Sequence, residues 1–187
     1  MRTVFAVDGG GSKTDAALVR EDGSVLGFAR GPLSHPHHLG VPASADEIDA
    51  LAAEVGAPAD LAVLLLAGLD FPDEEEAYQA EAERRGWATE VVVGNDTYAV
   101  LRAGSDRGWG VAVTCGAGMN CVGVAADGRR VRFPSLGAVS GDQIYLQSES
   151  PARPQVQNFE LITAEALPQR NILAYGQDSG RIKEADK

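Results

Sequence analysis

The chain has 187 residues, enough for one well-filled hydrophobic core or for two small lobes. Its 27 acidic residues outnumber 16 lysines and arginines, and the net charge of −11 argues against a nucleic-acid partner, which needs a basic surface. No run approaches the roughly 20 apolar residues that cross a membrane. The N-terminus leads directly into a predicted strand without the pattern of a signal peptide. These features predict a cytoplasmic protein with no membrane partner.

The first hundred residues predict a mixed α/β sheet. In chain order the predicted elements are strands at 2–8, 15–20 and 24–30, an irregular loop at 31–42, a helix at 43–55, a strand at 61–67, a helix at 72–85, a strand at 90–94 and a helix at 97–103. Ser44 is the expected cap of the first helix. The order β-β-β-α-β-α-β-α is typical of a mixed five-stranded sheet with helices on its faces.

A second unit begins near residue 107. Three short strands at 110–114, 119–125 and 130–133 follow one another with glycine-containing turns between them, and this pattern repeats the opening of the chain. No further series of helices and strands follows, so we expect a second lobe that is truncated after its first three strands. An unpaired sheet edge and an uncovered face favour association with another chain, for example as a homodimer. The predicted domains are therefore 1–106 and 107–142.

The composition changes after Asp142. Residues 1–142 contain one glutamine and one lysine, whereas residues 143–187 contain six glutamines and two lysines. The only regular element that this stretch predicts is a short helix at 164–167. We interpret 143–187 as an atypical tail, either a disordered extension or a segment of foreign origin.

The turn between the first two predicted strands has the sequence DGGGSKTD. Its glycines let the main chain approach a ligand, and successive N–H groups in such a turn form an anion site, to which a lysine and two hydroxyls add. Asp8, at the end of the strand, is suited to hold Mg²⁺ through water. A plain glycine-rich hairpin is the alternative interpretation, and a P-loop is excluded because the turn leads into a strand. The predicted phosphate-binding residues are Gly9, Gly10, Gly11, Ser12, Lys13 and Thr14.

A second glycine turn, TCGAGMNC, joins two strands of the second unit. Gly116, Ala117 and Gly118 supply another set of main-chain donors. Alone this pattern is weak, but two such turns can face each other across a cleft that holds a polyphosphate. We interpret the two cysteines of the motif as small buried residues, because a zinc site needs four ligands.

Two polar motifs complete the set. Asn95 and Asp96 stand where a strand ends and a helix begins: either one of them merely caps the helix, or Asp96 is a general base that accepts a hydroxyl proton during attack on a phosphoryl group. The glycine-rich segment GAVSGD, from Gly137 to Asp142, binds sugar hydroxyls or helps position the metal if it belongs to the same site. In isolation it would be a surface turn.

These pieces, in this order, resemble the sugar kinase/heat-shock chaperone/actin superfamily. Within it they are similar to the BadF/BadG/BcrA/BcrD ATPase family and its N-acetylglucosamine and glucosamine kinases. DGGGSKTD resembles the first phosphate motif, GNDTYAVLRAG the connecting helix, TCGAGMNCVG the second phosphate motif and SLGAVSGD the sugar-contacting segment. The resemblance covers residues 1–142 and implies a ribonuclease H-like (actin-like ATPase) lobe, ATP and Mg²⁺ as cofactors, and an amino sugar as substrate.

The resemblance also implies residue roles. Asp96 would be the catalytic base for the 6-hydroxyl of the sugar, and GPLSHPHHLG would be the loop that carries a sugar contact. The sugar contacts implied are His35, Asn95, Asp96, Gly137 and Asp142. The histidines of the loop are equally compatible with ordinary loop residues. After Asp142 the expected glycines and the adenosine-binding motif are not found, so we expect the adenine pocket to be absent.

Two other functions fit the same motifs. One is an ATPase activator of the 2-hydroxyacyl-CoA dehydratase type, in which cysteines hold an iron–sulfur cluster at a dimer interface; Cys121 fits the kinase pattern GxGxNC better. The other is a catalytically dead, truncated fragment, which the compositional change after Asp142 favours.

Overall fold

The computed structural model describes residues 1–115, 119–133, 172–176 and 183–184. The chain divides into two compact units, Met1–Ala103 and Gly104–Lys187. The first unit contains the strands β1 (Thr3–Gly9), β2 (Thr14–Arg20), β3 (Val25–Gly31), β4 (Ala59–Leu66) and β5 (Ala88–Asn95). Its helices are α1 (Pro36–Leu39), α2 (Val41–Val55), α3 (Pro72–Arg85) and α4 (Thr97–Gly104).

The five strands form one mixed sheet in the order β3-β2-β1-β4-β5. β1, β2 and β3 pair antiparallel, whereas β1, β4 and β5 run parallel. The α/β fold with a mixed five-stranded sheet is therefore confirmed. Because the parallel strands end together, Gly9 pairs with Leu66 and Leu66 pairs with Asn95 at one edge. We call this end of the sheet the carboxyl edge.

The core of the first unit lies between one face of the sheet and helices α2 and α3. Its largest fully buried apolar side chains include Phe5, Ile48, Leu64 and Tyr78. In strand β4 only every second side chain from Ala62 to Leu66 is fully covered, as in a strand with one well-packed face. On the opposite face Phe28 remains 59% exposed.

The prediction of an irregular loop at 31–42 is wrong in part, because this region contains α1 and the start of α2. Pro36 and Pro42 stand in the first turns of these helices, where the missing N–H costs no hydrogen bond. The predicted cap role of Ser44 is also wrong. The helix begins earlier, so Ser44 lies inside it, and its buried hydroxyl donates to Ser34 O at 2.5 Å and contacts Tyr78 Oη at 2.8 Å.

Helix α3 has the boundaries that its sequence predicts. Pro72 stands in its first turn, and Gly86 ends it in the left-handed conformation at φ 72°. The carboxylate of Glu74 accepts hydrogen bonds from Asp70 N at 2.7 Å and Phe71 N at 2.9 Å. This cap fixes the loop between β4 and α3, which lies at the carboxyl edge.

The second unit contains a separate sheet in the order β10-β9-β6-β7-β8. Strands β6 (Gly110–Cys115), β7 (Met119–Val124) and β8 (Arg130–Phe133) are the three predicted ones. Two further strands join this sheet: β9 (Ile172–Gly176) pairs parallel with β6, and β10 (Lys183–Glu184) pairs with β9. The rest of the predicted tail, including the helix at 164–167, lies outside the described residues.

In the part of the chain that the structure describes, no helix combines the length and hydrophobicity that a membrane span requires.

The buried hydroxyl pair of Ser44 and Tyr78 joins α2 to α3, and its loss should weaken the first unit. Burial raises the pKa of Tyr78 to about 12, so the phenol stays protonated at neutral pH. We expect Tyr78→Phe to lower the free energy of unfolding by about 1 kcal/mol, the usual worth of one buried hydrogen bond. Urea unfolding of Tyr78→Phe, Ser44→Ala and the double variant measures it. Strictly additive effects would show that the two hydroxyls do not interact.

Candidate functional site

Four segments meet at the carboxyl edge: the β1–β2 turn, the segment before and within α1, the β4–α3 loop and the β5–α4 junction. Main-chain hydrogen bonds join them, from Ala67 N to Gly9 O at 2.7 Å and from Asp96 N to Leu66 O at 3.3 Å. The ends of β1 and β5 are therefore both tied to the end of β4. Ligands of open α/β sheets bind where parallel strands end, and the same edge is the candidate site here.

The β1–β2 turn presents accessible main chain. Gly10 N donates to Lys13 O at 2.9 Å and closes the turn, while Gly11 and Ser12 are exposed. A Cβ on Gly9 would lie 2.3 Å from Leu66 Cδ2 and 2.5 Å from Ser34 Oγ. Gly9 is thus required by packing inside the protein, whereas Gly11 is exposed at the tip of the turn.

The other predicted phosphate-binding side chains of this turn have protein partners. Thr14 is fully buried, and its hydroxyl donates to Ser34 Oγ at 2.8 Å. The ammonium of Lys13 pairs with the carboxylate of Asp15. Arg30 also binds Asp15, and this hydrogen bond is the main reason that the pKa of Asp15 falls to about 2. Thr14 is therefore held inside the fold, while Lys13 remains about half exposed at the edge.

The imidazole of His35 packs against two glycines of the site. A Cβ on Gly68, whose φ is +80°, would lie 2.3 Å from His35 Cε1, and a Cβ on Gly11 would lie 3.6 Å from Cδ2. His37 N donates to His35 Nδ1 at 3.3 Å. Burial is the main cause of a pKa of about 4 for His35, and the neighbouring His38 and His37 lower it further. His35 is therefore a neutral imidazole at pH 7, next to the glycine turn.

Two acids, Asp8 and Asp70, lie close enough to Asp96 to interact with its carboxylate. Burial first, and then the negative charges of Asp8 and Asp70, raise the pKa of Asp96 to about 6, against weaker hydrogen bonds from Thr97. Burial also raises the pKa of Asp8, although Lys13 opposes the shift. Asp8 lies near the end of β1, Asp70 follows β4 and Asp96 follows β5, so the edge carries one acid from each parallel strand or the loop after it.

Asp70 is the acidic residue that the sequence analysis missed. Its signal was its position shortly after the apolar run of β4, comparable to Asp8 at the end of β1 and Asp96 directly after β5. The glycine turns and the Asn-Asp pair are recognisable motifs, whereas Asp70 stands in a strand-to-helix loop without one. Gly68 was missed for the same reason.

Asn95 is fully buried. Its Nδ2 donates to Leu69 O at 3.2 Å and to Asp70 Oδ1 at 3.1 Å, and its Oδ1 accepts from Thr97 N at 3.0 Å. The side chain therefore caps the start of α4, and the next residue, Asp96, is left half-buried at the edge.

The remaining predicted site residues belong to the second unit. Gly116, Ala117, Gly118, Gly137 and Asp142 lie outside the described residues. The strands that flank the second glycine turn, β6 and β7, are both present and pair antiparallel from Cys115–Met119 to Gly110–Val124. Cys121 is half-buried in β7, and burial raises the pKa of its thiol.

Comparison with known proteins supports the fold. A candidate N-acetylglucosamine kinase from Chromobacterium violaceum is 27% identical to this chain with a TM-score of 0.58, and the match covers 76% of this chain and 52% of that protein. A candidate N-acetylglucosamine kinase from Porphyromonas gingivalis is 18% identical with a TM-score of 0.59, covering 76% and 50%. No protein-family model and no curated protein matches the chain.

The structural matches define the general class of fold, that of sugar kinases and actin-like ATPases. The chain spans about half the length of the two solved structures. The activator of the 2-hydroxyisocaproyl-CoA dehydratase from Clostridium difficile also matches, at 9% identity and a TM-score of 0.38 over 73% of this chain and 47% of that one. That similarity is too low to carry an argument about function.

The contact between Gly68 and His35 can be tested by stability. Gly68→Ala should cost the strain of a positive φ plus displacement of the imidazole, about 2 kcal/mol or more of unfolding free energy. Gly86→Ala is the matched control, because Gly86 has φ +72° with nothing within 4 Å of the added Cβ and should cost only about 1 kcal/mol. Urea unfolding measures both. Equal losses would show that His35 does not occupy the space beside Gly68.

The raised pKa of Asp96 has a consequence for stability. Its folded pKa of about 6 exceeds the unfolded value of 3.8, so the folded state binds the proton more tightly and stability is lost as pH rises from 4 through 6. We expect Asp96→Asn to raise the free energy of unfolding at pH 8 by about 1 to 2 kcal/mol, with little gain at pH 4. Urea unfolding at both pH values measures it.

Asp22→Asn is the control for that experiment. Ser24 donates to Asp22 and lowers its pKa, so this acid is not destabilising and its replacement should give no gain at pH 8. A gain for Asp22→Asn equal to that for Asp96→Asn would attribute the effect to net charge alone.

Proposed function

We propose that this chain is the nucleotide-binding part of an ATP-dependent kinase that phosphorylates the 6-hydroxyl of an amino sugar, N-acetylglucosamine or glucosamine. The proposal assigns it to the kinase branch of the BadF/BadG/BcrA/BcrD ATPase family. The observation that carries it is the position of Asp96: a half-buried carboxylate with a raised pKa stands at the same sheet edge as an accessible glycine turn.

The β1–β2 turn is the proposed site for the ATP phosphates. The exposed main chain of Gly11 and Ser12 supplies N–H donors, and small residues allow a close approach. Lys13 supplies positive charge once a phosphate competes with Asp15 for its ammonium. Thr14 and Gly9 contribute by holding the turn in shape, since both pack inside the fold.

Asp8 is the proposed Mg²⁺ residue. Within the described residues no three acidic, histidine or cysteine side chains are arranged to hold a metal ion by themselves. The carboxylate of Asp8, at the end of β1, would suit Mg²⁺, because that ion keeps most of its water ligands when it binds a protein. When bound, ATP and Mg²⁺ supply the phosphoryl group and neutralise its charge.

Asp96 is the proposed general base. A carboxylate with a pKa of about 6 is ionised at neutral pH, yet it holds a proton more strongly than an ordinary aspartate. It would accept the proton of the 6-hydroxyl as that oxygen attacks the terminal phosphoryl group of ATP, with ADP as the leaving group. Burial and the charges of Asp8 and Asp70 supply the basicity, so the site tunes this residue without a histidine partner.

The sugar is proposed to lie between Asp96 and His35. A neutral imidazole offers one donor and one acceptor to sugar hydroxyls. Gly137 and Asp142 are proposed as further sugar contacts, and Gly116, Ala117 and Gly118 as the second phosphate turn. We also propose two domains, at 1–106 and 107–142, a separate tail at 143–187, a cytoplasmic location and assembly as a homodimer. No observation on the described residues favours the activator of a dehydratase.

Replacement of the base tests the proposal. Asp96→Asn keeps the size of the side chain but cannot accept a proton, so we expect phosphorylation of glucosamine or N-acetylglucosamine to fall by a factor of about 100 or more. Sugar affinity should change little. A coupled ADP-release assay and isothermal titration with each sugar measure the two effects on the purified chain.

Asp22→Asn makes the same acid-to-amide change in the β2–β3 turn, at the other end of the sheet, and should retain wild-type activity. Full activity of Asp96→Asn would remove Asp96 from the chemistry, and a wild-type chain without activity would contradict the proposed function of this chain.

A further inference from the structure

The side chain of Asn95 connects three segments of the carboxyl edge. It is fully buried at the end of β5. Through Nδ2 it donates to Leu69 O and Asp70 Oδ1 in the β4–α3 loop, and through Oδ1 it accepts from Thr97 N at the start of α4. The amide of Asn95 therefore connects the loop that carries Asp70 to the junction that carries Asp96.

This geometry leaves no N–H of the Asn95 amide for a ligand. The amide group has two donor hydrogens, and two acceptors in the protein already take them. Its 0% exposure means that a sugar hydroxyl would have to displace protein atoms to reach it. Loss of any of these buried bonds would also leave a polar group without its partner, which costs more than the bond itself contributes.

We infer that Asn95 is a positioning residue for Asp96, which it holds in place by hydrogen bonds to the β4–α3 loop and to α4, and that it does not contact the sugar. The inference rests on the proposed function, since it concerns the base of that reaction. It replaces the direct sugar contact that the sequence resemblance implied for Asn95.

The same bond fixes the charge that tunes the base. Asp70 accepts from Asn95 at 3.1 Å, and the negative charge of Asp70 is one cause of the raised pKa of Asp96. The backbone of Asp70 is held in turn by Glu74, whose other oxygen lies 2.7 Å from His37 Nε2. Asn95 therefore belongs to a polar network that runs from α4 to the segment carrying His35.

An exchange of the two side chains tests the inference. Asn95→Asp sets two carboxylates against each other while its oxygen still accepts from Thr97 N. Asp70→Asn removes the charge, and the double variant N95D/D70N restores the hydrogen bond with donor and acceptor reversed. The four proteins are compared by thermal unfolding and by kcat and KM for phosphorylation of glucosamine and N-acetylglucosamine. Asp73→Asn, an exposed acid in the first turn of α3, is the control.

We expect Asn95→Asp to lower Tm and to lower kcat by about tenfold or more, while KM for the sugar changes by less than about threefold. The double variant should recover part of both losses, because the bond to Asp70 returns although the donor to Leu69 O does not. Asp73→Asn should match the wild type in every measurement.

Other outcomes overturn the inference in distinguishable ways. If Asn95→Asp raises KM at unchanged kcat and the double variant gives no recovery, Asn95 contacts the sugar directly. If the losses in Tm are additive across the four proteins, the bond to Asp70 is not formed. A wild-type chain that is inactive while the losses in Tm remain coupled overturns the proposed function and the catalytic role of Asn95, but leaves the bond itself established.

Discussion

The parallel alignment of β1, β4 and β5 is the constraint on which the candidate site depends. Register brings Gly9, Leu66 and Asn95 to the same level of the sheet, so whatever follows each strand must lie side by side. The residues that follow are a glycine turn, a loop with Gly68 and Asp70, and a junction with Asp96. The hydrogen bonds between the parallel strands place these groups side by side. The core of Phe5, Leu64 and their neighbours stabilises that arrangement from one face.

The buried carboxylate of Asp96 and its acidic neighbours lower the stability of the folded protein at this edge. Burial of Asp96, together with the negative charges of Asp8 and Asp70, raises the pKa of Asp96 to about 6. A protein selected for stability alone would place a neutral or positive residue there. Such a loss of stability is expected where a bound ligand offsets it, through a metal ion or a hydroxyl proton. Carboxylates with perturbed pKa values are therefore a physical reason to assign function to a site.

Small residues in the site serve two different purposes. Gly9 and Gly68 leave room for protein atoms, namely Leu66 and Ser34 in one case and the ring of His35 in the other. Gly10 and Gly11 leave the main chain open at the edge. A run of glycines in a sequence cannot distinguish these purposes, because both require only the absence of a Cβ. The same holds for Thr14, whose hydroxyl was expected at the phosphates and donates to buried Ser34.

The sequence by itself determined the order of the five strands and of α2, α3 and α4, although not the short helix α1. It also determined the boundaries of α3 and the glycine turn after β1, because hydrophobic periodicity, proline and glycine act locally. It also singled out Asp8 and Asp96, which stand next to recognisable patterns. Only the tertiary structure decided that Asp70 joins them and that Ser44 lies within a helix. It also decided that the amide of Asn95 forms hydrogen bonds with Leu69, Asp70 and Thr97. Those facts depend on which loops the parallel strands bring together and on how much water remains around each group, and neither property can be read from neighbouring letters. The pairing of β9 with β6 has the same cause, since a strand partner more than sixty residues away along the chain leaves no local signal.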